Sequence, residues 1–432
     1  MKIAFYLENK NIPNVDFTAP EAGNPGCGGT EYLFAATPYY IQKHLKYQIS
    51  TILLANNVAH LPDNCKAHQV DDLYHAATKA KELGIDLFIY RPRRDTDSDF
   101  LSLIENIALP TIAWAHITPK PNHLRAMAKN KYLKALVCVE HEQYDQIQDT
   151  ILSAYAKATF IVNGFDVNSF RLKTPPQKQN NLVVYLGALV PQKGFHLLAR
   201  TWPQILKRVP DAKLTVIGTG QLYDHAAKLG PWGIADSRYE QEYLMPYLGD
   251  EQNRPHPSVT FSGRLGEEKK EILHSALIGV PNPTGQTENC PGSALEFQAC
   301  GTAVVSGAYW GMLDTIADGY SGYLGKTDKD LEDNIVKLLK NPQQAIELGK
   351  NGVTFVSEKY RWESVIKEWE NLFKYIQNNQ TIPRKPFKKN WLKHYKWMII
   401  ANTAPQRLIG KYIYWPSTQE IKLFILKSLK KR

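Results

Sequence analysis

Long apolar runs, paired cysteines and metal-binding histidine spacings are all absent from this sequence. No stretch of about 20 apolar residues occurs, so we expect no membrane-spanning helix. The five cysteines are scattered without a CxxC spacing, which argues against a zinc knuckle or a disulfide framework and favours a reducing cytoplasm. The twelve histidines contain no HExxH pattern. The opening MKIAFYL turns polar at once and lacks a small-residue cleavage site, so it predicts a first strand rather than a signal peptide.

Acidic residues are nearly missing from the last part of the chain. Residues 374–432 contain fourteen Lys or Arg and a single acid, Glu420, whereas the whole chain has a net charge of +10. The preceding part is therefore mildly acidic. From about residue 377 the cations alternate with Trp, Tyr, Phe and Ile. This combination suits an anionic membrane surface, because aromatic rings lie at the headgroup level and each nearby cation contributes about 1 kcal/mol.

Two other interpretations of the basic tail were weighed. The tail could be solvated and pack partly on the body of the protein. Nucleic acid would also attract it, but we expect no nucleic-acid partner, because the body has no second basic patch.

Short apolar runs alternate with amphipathic stretches in two successive series. The first series contains the strand-like runs KIAFYL, ISTILLA, DLFIY, TIAWA, ALVCV and ATFIV. The second begins at Asn181 and contains NLVVYLG, AKLTVIG, SVTFSG, ALIGVPN and TAVVSG. Two successive βαβ series predict an α/β protein with two Rossmann-like, doubly wound domains that face a cleft.

The predicted boundaries divide the chain into four parts. Rossmann-like domains are expected over residues 1–172 and 182–360, joined by the Pro- and Gln-rich segment around 172–181. An amphipathic helix over 361–376 is expected to close the second domain. The basic aromatic tail occupies 377–432 as a C-terminal extension.

Two carboxylates, Glu288 and Glu296, flank a predicted helix start. Glu288 is expected on a loop that ends a strand, and Glu296 about one turn inside the helix. Pro291 suits the first helical position and Gly301 a C-terminal cap. N–H groups at such a start attract phosphate, while carboxylates accept hydrogen bonds from sugar hydroxyls. The pattern therefore predicts a ligand with phosphate and polyol parts; the structural alternative is a capping acid and a solvated helix acid.

Five motifs occur in the order found in family 4 glycosyltransferases. They are VVYLGALVPQKGFHLL, PDAKLTVIGTG, VTFSGRL, the pair Glu288 and Glu296, and ACGTAVVSGAYWGMLDTIADGYSGYL. The chain resembles this family specifically over about residues 181–340 and more weakly over 1–180. The resemblance implies the two-domain GT-B fold, nucleotide-sugar donors and retention of anomeric configuration. It also implies that the first domain lies on the acceptor side and that the second binds the donor.

The resemblance also implies roles for individual residues. Glu288 would contact the transferred sugar, Lys193 the donor phosphates, and His116 the region of the reacting sugar, so these three are the candidate catalytic residues. The candidate donor-binding residues are Gly28, Gly29, Lys193, Arg264, Asn289, Cys290, Pro291, Gly292 and Glu296, with Glu296 at the ribose hydroxyls. Plain structural roles are the alternatives: a tight turn with positive φ for the glycine pair, a solvated turn for the lysine and core packing for the histidine.

One position departs from the family's pattern. Ala188 stands where the family commonly has an arginine, five residues before the lysine, so one cation for the diphosphate is missing. Arg264 or an arginine of RPRR (residues 91–94) would have to replace it. This departure keeps open a catalytically weak or inactive relative that acts as a membrane-bound scaffold. Among enzymes, the alternatives are a nucleotide-sugar epimerase and a phosphorylase, although no pyridoxal-binding lysine context is present.

Neither a metal nor a cofactor is expected besides the nucleotide-sugar substrate. DTDSD, residues 95–99, has a DxD spacing that can hold a divalent cation, but it precedes the apolar-periodic FLSLIENI. We therefore expect Ser98 or Asp99 to be a helix N-cap. Together these observations predict a cytoplasmic hexosyltransferase, peripheral on the inner face of the membrane, that acts on a lipid-linked or growing surface-polysaccharide acceptor.

Overall fold

The chain folds into two compact units. The computed structural model describes residues 1–221, 227–390 and 396–429. The first unit contains Met1–Gly164 and Trp362–Arg432, and the second contains Phe165–Arg361. The first unit is therefore discontinuous in sequence.

Thirteen strands are formed within the described residues. Seven belong to the first unit: β1 Lys2–Leu7, β2 Ser50–Ala55, β3 Lys66–Gln69, β4 Leu87–Tyr90, β5 Thr111–Ala115, β6 Leu133–Cys138 and β7 Ala158–Phe160. Six belong to the second: β8 Gln179–Leu186, β9 Lys213–Ile217, β10 Val259–Gly263, β11 Ala276–Val280, β12 Ala303–Gly307 and β13 Gly322–Gly325. The predicted strands are all present, and β3 and β13 are additional.

The α-helices of the described residues connect these strands and continue beyond the last one. They are α1 Gly29–Leu45, α2 Leu73–Glu82, α3 Ser98–Asn106, α4 Pro121–Lys129, α5 His141–Ile147, α6 Ile151–Ala154, α7 Phe195–Arg208, α8 Ser237–Tyr239, α9 Met245–Leu248, α10 Lys269–Ser275, α11 Gly292–Ala299, α12 Met312–Thr315, α13 Asp328–Lys340, α14 Pro342–Lys359, α15 Trp362–Gln377, α16 Lys396–Ile409 and α17 Thr418–Leu429. Most of the apolar residues that form the two cores lie on these strands and on the helix faces turned toward them.

Each unit contains one parallel sheet whose strand order reverses once. The order is β3-β2-β1-β4-β5-β6-β7 in the first unit and β10-β9-β8-β11-β12-β13 in the second. The reversal falls between β1 and β4 in one sheet and between β8 and β11 in the other. In open α/β sheets the carboxyl ends of the strands diverge at such a point and leave a crevice where ligands bind. The predicted doubly wound architecture is thus confirmed in both units.

The boundary between the units lies earlier than the predicted linker. The Phe165 N–H donates to the Tyr360 carbonyl at 2.8 Å, and the 3₁₀ turn Val167–Phe170 packs against α11. The stretch 165–172 therefore belongs to the second unit rather than to a domain over 1–172. The Pro- and Gln-rich segment precedes β8 inside the second unit.

Helix α15 belongs to the first unit, so the expectation that it closes the second domain is wrong. The Trp369 ring packs edge-on against Trp114 at 5.3 Å and against Phe5 at 6.4 Å. The Trp362 ring stacks on Tyr40 at 4.1 Å. These buried aromatic contacts hold the helix on the sheet formed by β1 and β5, because large rings bury the most apolar area per residue.

Part of the basic tail also packs on the first unit. The Lys396 side chain, at the start of α16, is 1% exposed and pairs with Glu142 at 2.9 Å and Asp145 at 2.8 Å. Arg125 forms an ion pair with Glu420 at 2.7 Å. The tail is therefore not a free extension over 377–432. Its partial packing agrees with the alternative interpretation, in which the tail packs partly on the body of the protein. Residues 391–395 and 430–432 of the predicted tail lie outside the described residues.

Two predicted helix starts are off by one or two residues. Asp97, rather than Ser98 or Asp99, caps α3 by accepting a hydrogen bond from the Phe100 N–H at 3.2 Å. Pro291 is the N-cap of α11 with extended backbone, and the helix begins at Gly292. At the other end of α11, Gly301 has the positive φ of 65° that a glycine cap provides.

Candidate functional site

Lys193 and Glu288 come together where the second sheet reverses. Lys193 ends a 3₁₀ turn after β8, and Glu288 lies on the loop after β11, the neighbouring strand. The Lys193 amine lies 2.5 Å from Glu288 Oε1, with the two side chains 22% and 14% exposed. The strand order, rather than the sequence separation, brings these two predicted catalytic residues into contact.

Neighbouring groups fix the position of the Glu288 carboxylate. The buried Asn282 amide, which also follows β11, donates to Glu288 Oε1 at 3.0 Å. The same amide donates to the Gln286 carbonyl at 3.0 Å, which closes the loop on itself. The Gly311 N–H donates to the Glu288 carbonyl at 2.8 Å. The carboxylate is therefore preorganised, and one of its oxygens accepts from two donors.

The start of α11 offers backbone donors beside Glu288. The Gly292 and Ser293 N–H groups, the first two of the helix, have no acceptor in the described part of the chain. A Cβ built on Gly292 would meet no atom within 4 Å, so the space above these groups is open. Free N–H groups at a helix start attract anions, and phosphate is a common occupant. Asn289, Cys290 and Pro291 form the loop that leads to this start.

Glu296 is paired with a cation that the sequence did not single out. The Lys269 amine, on α10, lies 2.8 Å from Glu296 Oε2 in an ion pair that lacks hydrogen-bond alignment. The two side chains are 15% and 14% exposed. Glu296 is the fifth residue of α11, so the prediction that it lies one turn inside the helix is confirmed. No sequence spacing pointed to Lys269, because its helix is contributed by another crossover.

Arg264 and Ala188 occupy different surroundings in the second unit. Arg264 is exposed, follows the edge strand β10, and forms no ion pair with the described residues. In the sheet, β10 is separated from β8 by β9, so the structure does not join Arg264 to Lys193 and Glu288. Ala188 is 1% exposed, and its carbonyl accepts from the Tyr185 hydroxyl at 3.1 Å. The position without the family's arginine is thus buried here.

The glycine pair of the first unit lies at the reversal of the first sheet. Gly28 is the N-cap of α1, which follows β1, and Gly29 is its first residue. Gly28 has φ −58°, so the alternative of a turn with positive φ is wrong for it. A Cβ on Gly28 would lie 2.0 Å from the Glu31 carboxylate, which pairs with Arg91 after β4 at 3.0 Å.

Glu31 and Arg91 also line a small cavity of the first unit. The cavity, of about 120 Å³, is bordered by Thr30, Glu31, Asp72, Arg91 and Arg93. Apolar and aromatic residues line it as well, so its walls are partly charged and partly apolar; they are Tyr6, Leu7, Phe34, Leu73 and Tyr74.

His116 follows β5 in the first unit and is neutral at physiological pH. Its ring lies 4.6 Å from Trp114 and 5.8 Å from Phe34, measured between ring centroids. Part of the residue remains exposed, but protein atoms surround the ring. Burial first, and the nearby charge of Arg91 second, lower the pKa of His116 to about 3. A neutral imidazole can donate or accept a hydrogen bond near a substrate, but it does not supply positive charge.

Most of the predicted site residues fall into two groups, while Glu296 pairs with Lys269 and Arg264 lies apart after the edge strand β10. Lys193, Glu288 and the loop to Gly292 form one constellation in the second unit, while Gly28, Gly29 and His116 lie in the first unit. Sequence reasoning missed Asn282, although its position directly after an apolar strand is a usable signal. It also missed Lys269.

Candidate metal sites and membrane spans were also searched. Within residues 1–221, 227–390 and 396–429, no group of three or more His, Cys, Asp or Glu could hold a metal ion. In the same residues, no helix combines the length and the apolar content that crossing a bilayer requires.

Comparison with known proteins links the second unit to a family. Residues 166–354 match the family described as glycosyl transferases group 1. This range lies within Phe165–Arg361, the second unit that carries Lys193 and Glu288. The resemblance to family 4 glycosyltransferases is confirmed; retention of configuration stays a prediction.

Two curated relatives have named activities. A Mycolicibacterium smegmatis protein named GDP-mannose-dependent alpha-(1-6)-phosphatidylinositol monomannoside mannosyltransferase is 27% identical over 42% of this chain and 45% of its own. A poly(ribitol-phosphate) alpha-N-acetylglucosaminyltransferase of Staphylococcus aureus is 26% identical over 54% of this chain and 45% of its own. The chain thus spans about half the length of these relatives.

A solved structure matches nearly the whole fold. HepE of Anabaena, crystallised in complex with UDP, superimposes with a TM-score of 0.60 at 16% identity and covers 87% of this chain and all of that one. At this identity the likeness shows the fold alone, and it confirms the predicted GT-B class.

Proposed function

We propose that this chain, which carries a group 1 glycosyl transferase domain over residues 166–354, is a glycosyltransferase that uses a nucleotide-diphosphate sugar. The acceptor that we propose is a lipid-linked or growing surface polysaccharide, and the transfer proceeds with retention of anomeric configuration. The observation that carries the proposal is the Lys193–Glu288 pair beside the open start of α11.

The second unit offers complementary groups to each part of such a donor. The N–H groups of Gly292 and Ser293 and the amine of Lys193 suit the diphosphate, because they are positive and already in place. Glu288 suits the hydroxyls of the transferred sugar. Glu296 suits those of the ribose, with Lys269 holding its carboxylate.

Breaking the bond between the anomeric carbon and the phosphate oxygen leaves the electron pair on the diphosphate. The charge that develops there is stabilised by Lys193 and by the start of α11. Preorganised groups of this kind are usually the largest catalytic term. We propose exposed Arg264 as the second cation in place of Ala188, and neutral His116 as a hydrogen-bond partner of the reacting sugar. On this account transfer needs no metal ion, so activity should persist in EDTA.

The relatives narrow the donors to test first. HepE was crystallised with UDP, and the mycobacterial relative is named for GDP-mannose. The named acceptors of the two relatives are a phosphatidylinositol mannoside and a ribitol-phosphate polymer. These names support a lipid-linked or polymeric acceptor. We further propose a cytoplasmic enzyme that is peripheral on the inner face of the membrane.

Single substitutions in the charged pair test the proposal. Lys193→Ala and Glu288→Gln should each lower turnover at least 100-fold, the loss typical of a removed charge-stabilising group. The glutamine retains an oxygen that can accept from Asn282, so the loop should stay folded, which circular dichroism checks. Lys207→Ala, on the exposed face of α7, is the matched control. Near-normal turnover in both site variants would overturn the mechanism.

The alternatives give different results in the same assay. An epimerase forms product from the donor without any acceptor. A binding protein retains nucleotide-sugar affinity but turns over none of a broad acceptor panel. Transfer that requires an acceptor and is lost with Lys193 excludes both.

A further inference from the structure

A basic groove lies in the first unit at the edge of the sheet where β6 and β7 begin. Its volume is about 430 Å³, and the cations that line it are Lys131, Lys134, Lys157, Arg384 and Lys411. The first two flank the start of β6, and Lys157 directly precedes β7. Among the residues that the structure describes, no acidic side chain lines the groove. Gly28 and His116 follow the carboxyl ends of their strands, so this groove is at the opposite edge of the same sheet.

The five cations of the groove are held by neutral groups. Lys134 donates to the Lys131 carbonyl at 3.1 Å, and Arg384 donates to the Ser153 carbonyl at 3.1 Å. Lys157 donates to two carbonyls, at 3.0 and 2.6 Å. Within the described residues none of the five forms an ion pair. Glu105 attracts Lys157 without forming an ion pair with it. The cluster as a whole is therefore left with excess positive charge, which an incoming anion would neutralise.

Two tyrosine rings hold the amines close to one another. Lys157 and Lys411 lie over the Tyr155 ring, at 5.6 and 5.0 Å from its centroid. Lys131 and Lys134 lie over Tyr132, at 5.2 and 5.6 Å. Burial first, and repulsion from Lys134 second, lower the pKa of Lys157 to about 8. The charged amines of the cluster are therefore destabilised by burial and mutual repulsion, and a bound phosphate would offset this destabilisation.

Exposed apolar residues continue directly from this groove. Tyr412 and Ile413, next to Lys411, are 84% and 61% exposed, and Leu408 is 73% exposed. Helix α17 also exposes apolar side chains around its circumference: Ile421, Leu423, Phe424, Ile425 and Leu426. Exposed apolar side chains in such number mark an interaction site, and cations nearby in the chain suit an anionic bilayer rather than a soluble partner.

We propose that the groove of Lys131, Lys134, Lys157, Arg384 and Lys411 binds the phosphate headgroups of an anionic lipid bilayer, while residues 408–413 and α17 enter its apolar part. The inference deepens the membrane association within the proposed function and rests on it, but it does not depend on the transfer chemistry. Nucleic acid, the other polyanion, would match the cations but leave the apolar residues in water.

Vesicle flotation of the full chain tests the groove. Wild type should float with phosphatidylglycerol vesicles and stay unbound with phosphatidylcholine vesicles. Lys131→Gln/Lys411→Gln should weaken binding on the order of tenfold or more, since each cation near an anionic surface contributes about a factor of five. Lys10→Gln/Lys46→Gln removes the same charge, and Lys46 also lies over a tyrosine ring, at 5.0 Å. This control should change binding less than twofold. Phe424→Ser should weaken binding without changing its preference for anionic lipid.

Several results would overturn the inference. Equal losses of vesicle binding in both double variants would mean that binding depends on net charge and not on the groove. Binding to phosphatidylcholine as strong as to phosphatidylglycerol would remove the headgroup role. Competition by millimolar inorganic phosphate would identify a soluble phosphate as the ligand, and tighter binding of a single-stranded RNA oligonucleotide would identify nucleic acid. Transfer to a panel of lipid-linked and polysaccharide acceptors presented in detergent, measured in parallel, reports on the proposed function separately: its absence with normal flotation contradicts that function alone.

Discussion

At the scale of single residues, three carboxylates at or beside the predicted ligand positions are paired with cations. Glu288 meets Lys193, Glu296 meets Lys269, and Glu31 meets Arg91. Each carboxylate is thereby neutralised in the free protein at partial burial, where an unpaired charge would be costly. An anionic donor has to share the lysine with Glu288. Binding is therefore an exchange of partners rather than the filling of an unneutralised site.

His116 gives the first unit a dependence of stability on acid. Its pKa is about 3 in the folded protein, against 6.5 for an ordinary histidine. Between these values the unfolded chain binds a proton that the folded chain does not, so this contribution to stability is present above pH 6.5 and is lost as pH falls. We expect His116→Gln to reduce the loss of unfolding free energy between pH 7 and pH 4.5. Urea denaturation at both pH values measures it.

The control for this prediction is His60→Gln, because His60 is exposed. That variant should keep the wild-type dependence on pH. If His116→Gln shows the same dependence as wild type, the histidine is not the group responsible.

At the scale of elements, two glycines near the start of α11 differ in the space around them, and the difference distinguishes a role in binding from a role in folding. A Cβ on Gly292 meets no protein atom within 4 Å, whereas a Cβ on Gly311 would lie 2.0 Å from the Asn289 carbonyl oxygen. Gly292 therefore leaves space in which a ligand could bind. The other is required by the close approach of two loops.

Alanine substitutions at these glycines should consequently behave in opposite ways. Gly292→Ala should change the unfolding free energy by less than about 0.5 kcal/mol. Its methyl group narrows the approach to the helix N–H groups, so we expect the KM for the donor to rise about tenfold, as steady-state kinetics would show. Gly311→Ala should lose about 1–3 kcal/mol of stability through overpacking. An unchanged donor KM in Gly292→Ala would count against phosphate binding at this helix.

The elements themselves were largely predictable, and their pairing was not. Buried strands such as β1 and β8 are apolar runs of the right length, so periodicity identifies them. The edge strand β3, with sequence KAHQ, has no such pattern and was missed. Lys193 and Glu288 were singled out one by one, but their ion pair depends on β8 and β11 being neighbours. The order of the sheet makes these two strands neighbours, and local sequence does not encode that order.

The same reason explains the error over α15 and the tail. The amphipathic pattern of α15 predicted a helix correctly, whereas α16 and α17 in the basic tail were not predicted. An amphipathic pattern does not reveal which part of the protein the helix will pack against. The sequence therefore did not indicate that α15 contacts Trp114 or that Lys396 pairs with Glu142 and Asp145.

At the scale of the whole molecule, the chain crosses from the first unit to the second and returns. The last residues, Trp362–Arg432, complete the unit that begins at Met1. Truncation of the tail therefore removes part of a folded unit as well as a basic surface. A truncated chain is for this reason a poor test of membrane binding, and point variants within the groove are the better one.

Lys396 supplies a buried ionic contact between the tail and the rest of the first unit. Its amine is buried between Glu142 and Asp145, and the Asn390 side chain accepts from it as well. Burial outweighs the attraction of Lys396 and raises the pKa of Asp145, so this carboxylate depends on the cation to stay charged. Removing one partner of a buried pair costs about 3–5 kcal/mol. Lys396→Met should therefore destabilise the first unit by about that amount. Faster hydrogen–deuterium exchange in α5 and α6, with the second unit unchanged, would locate the effect, and Lys389→Met, an exposed neighbour, should leave exchange as it is. If Lys396→Met exchanged like wild type, the tail would not be an integral part of the first unit, and truncation would become a fair test of membrane binding.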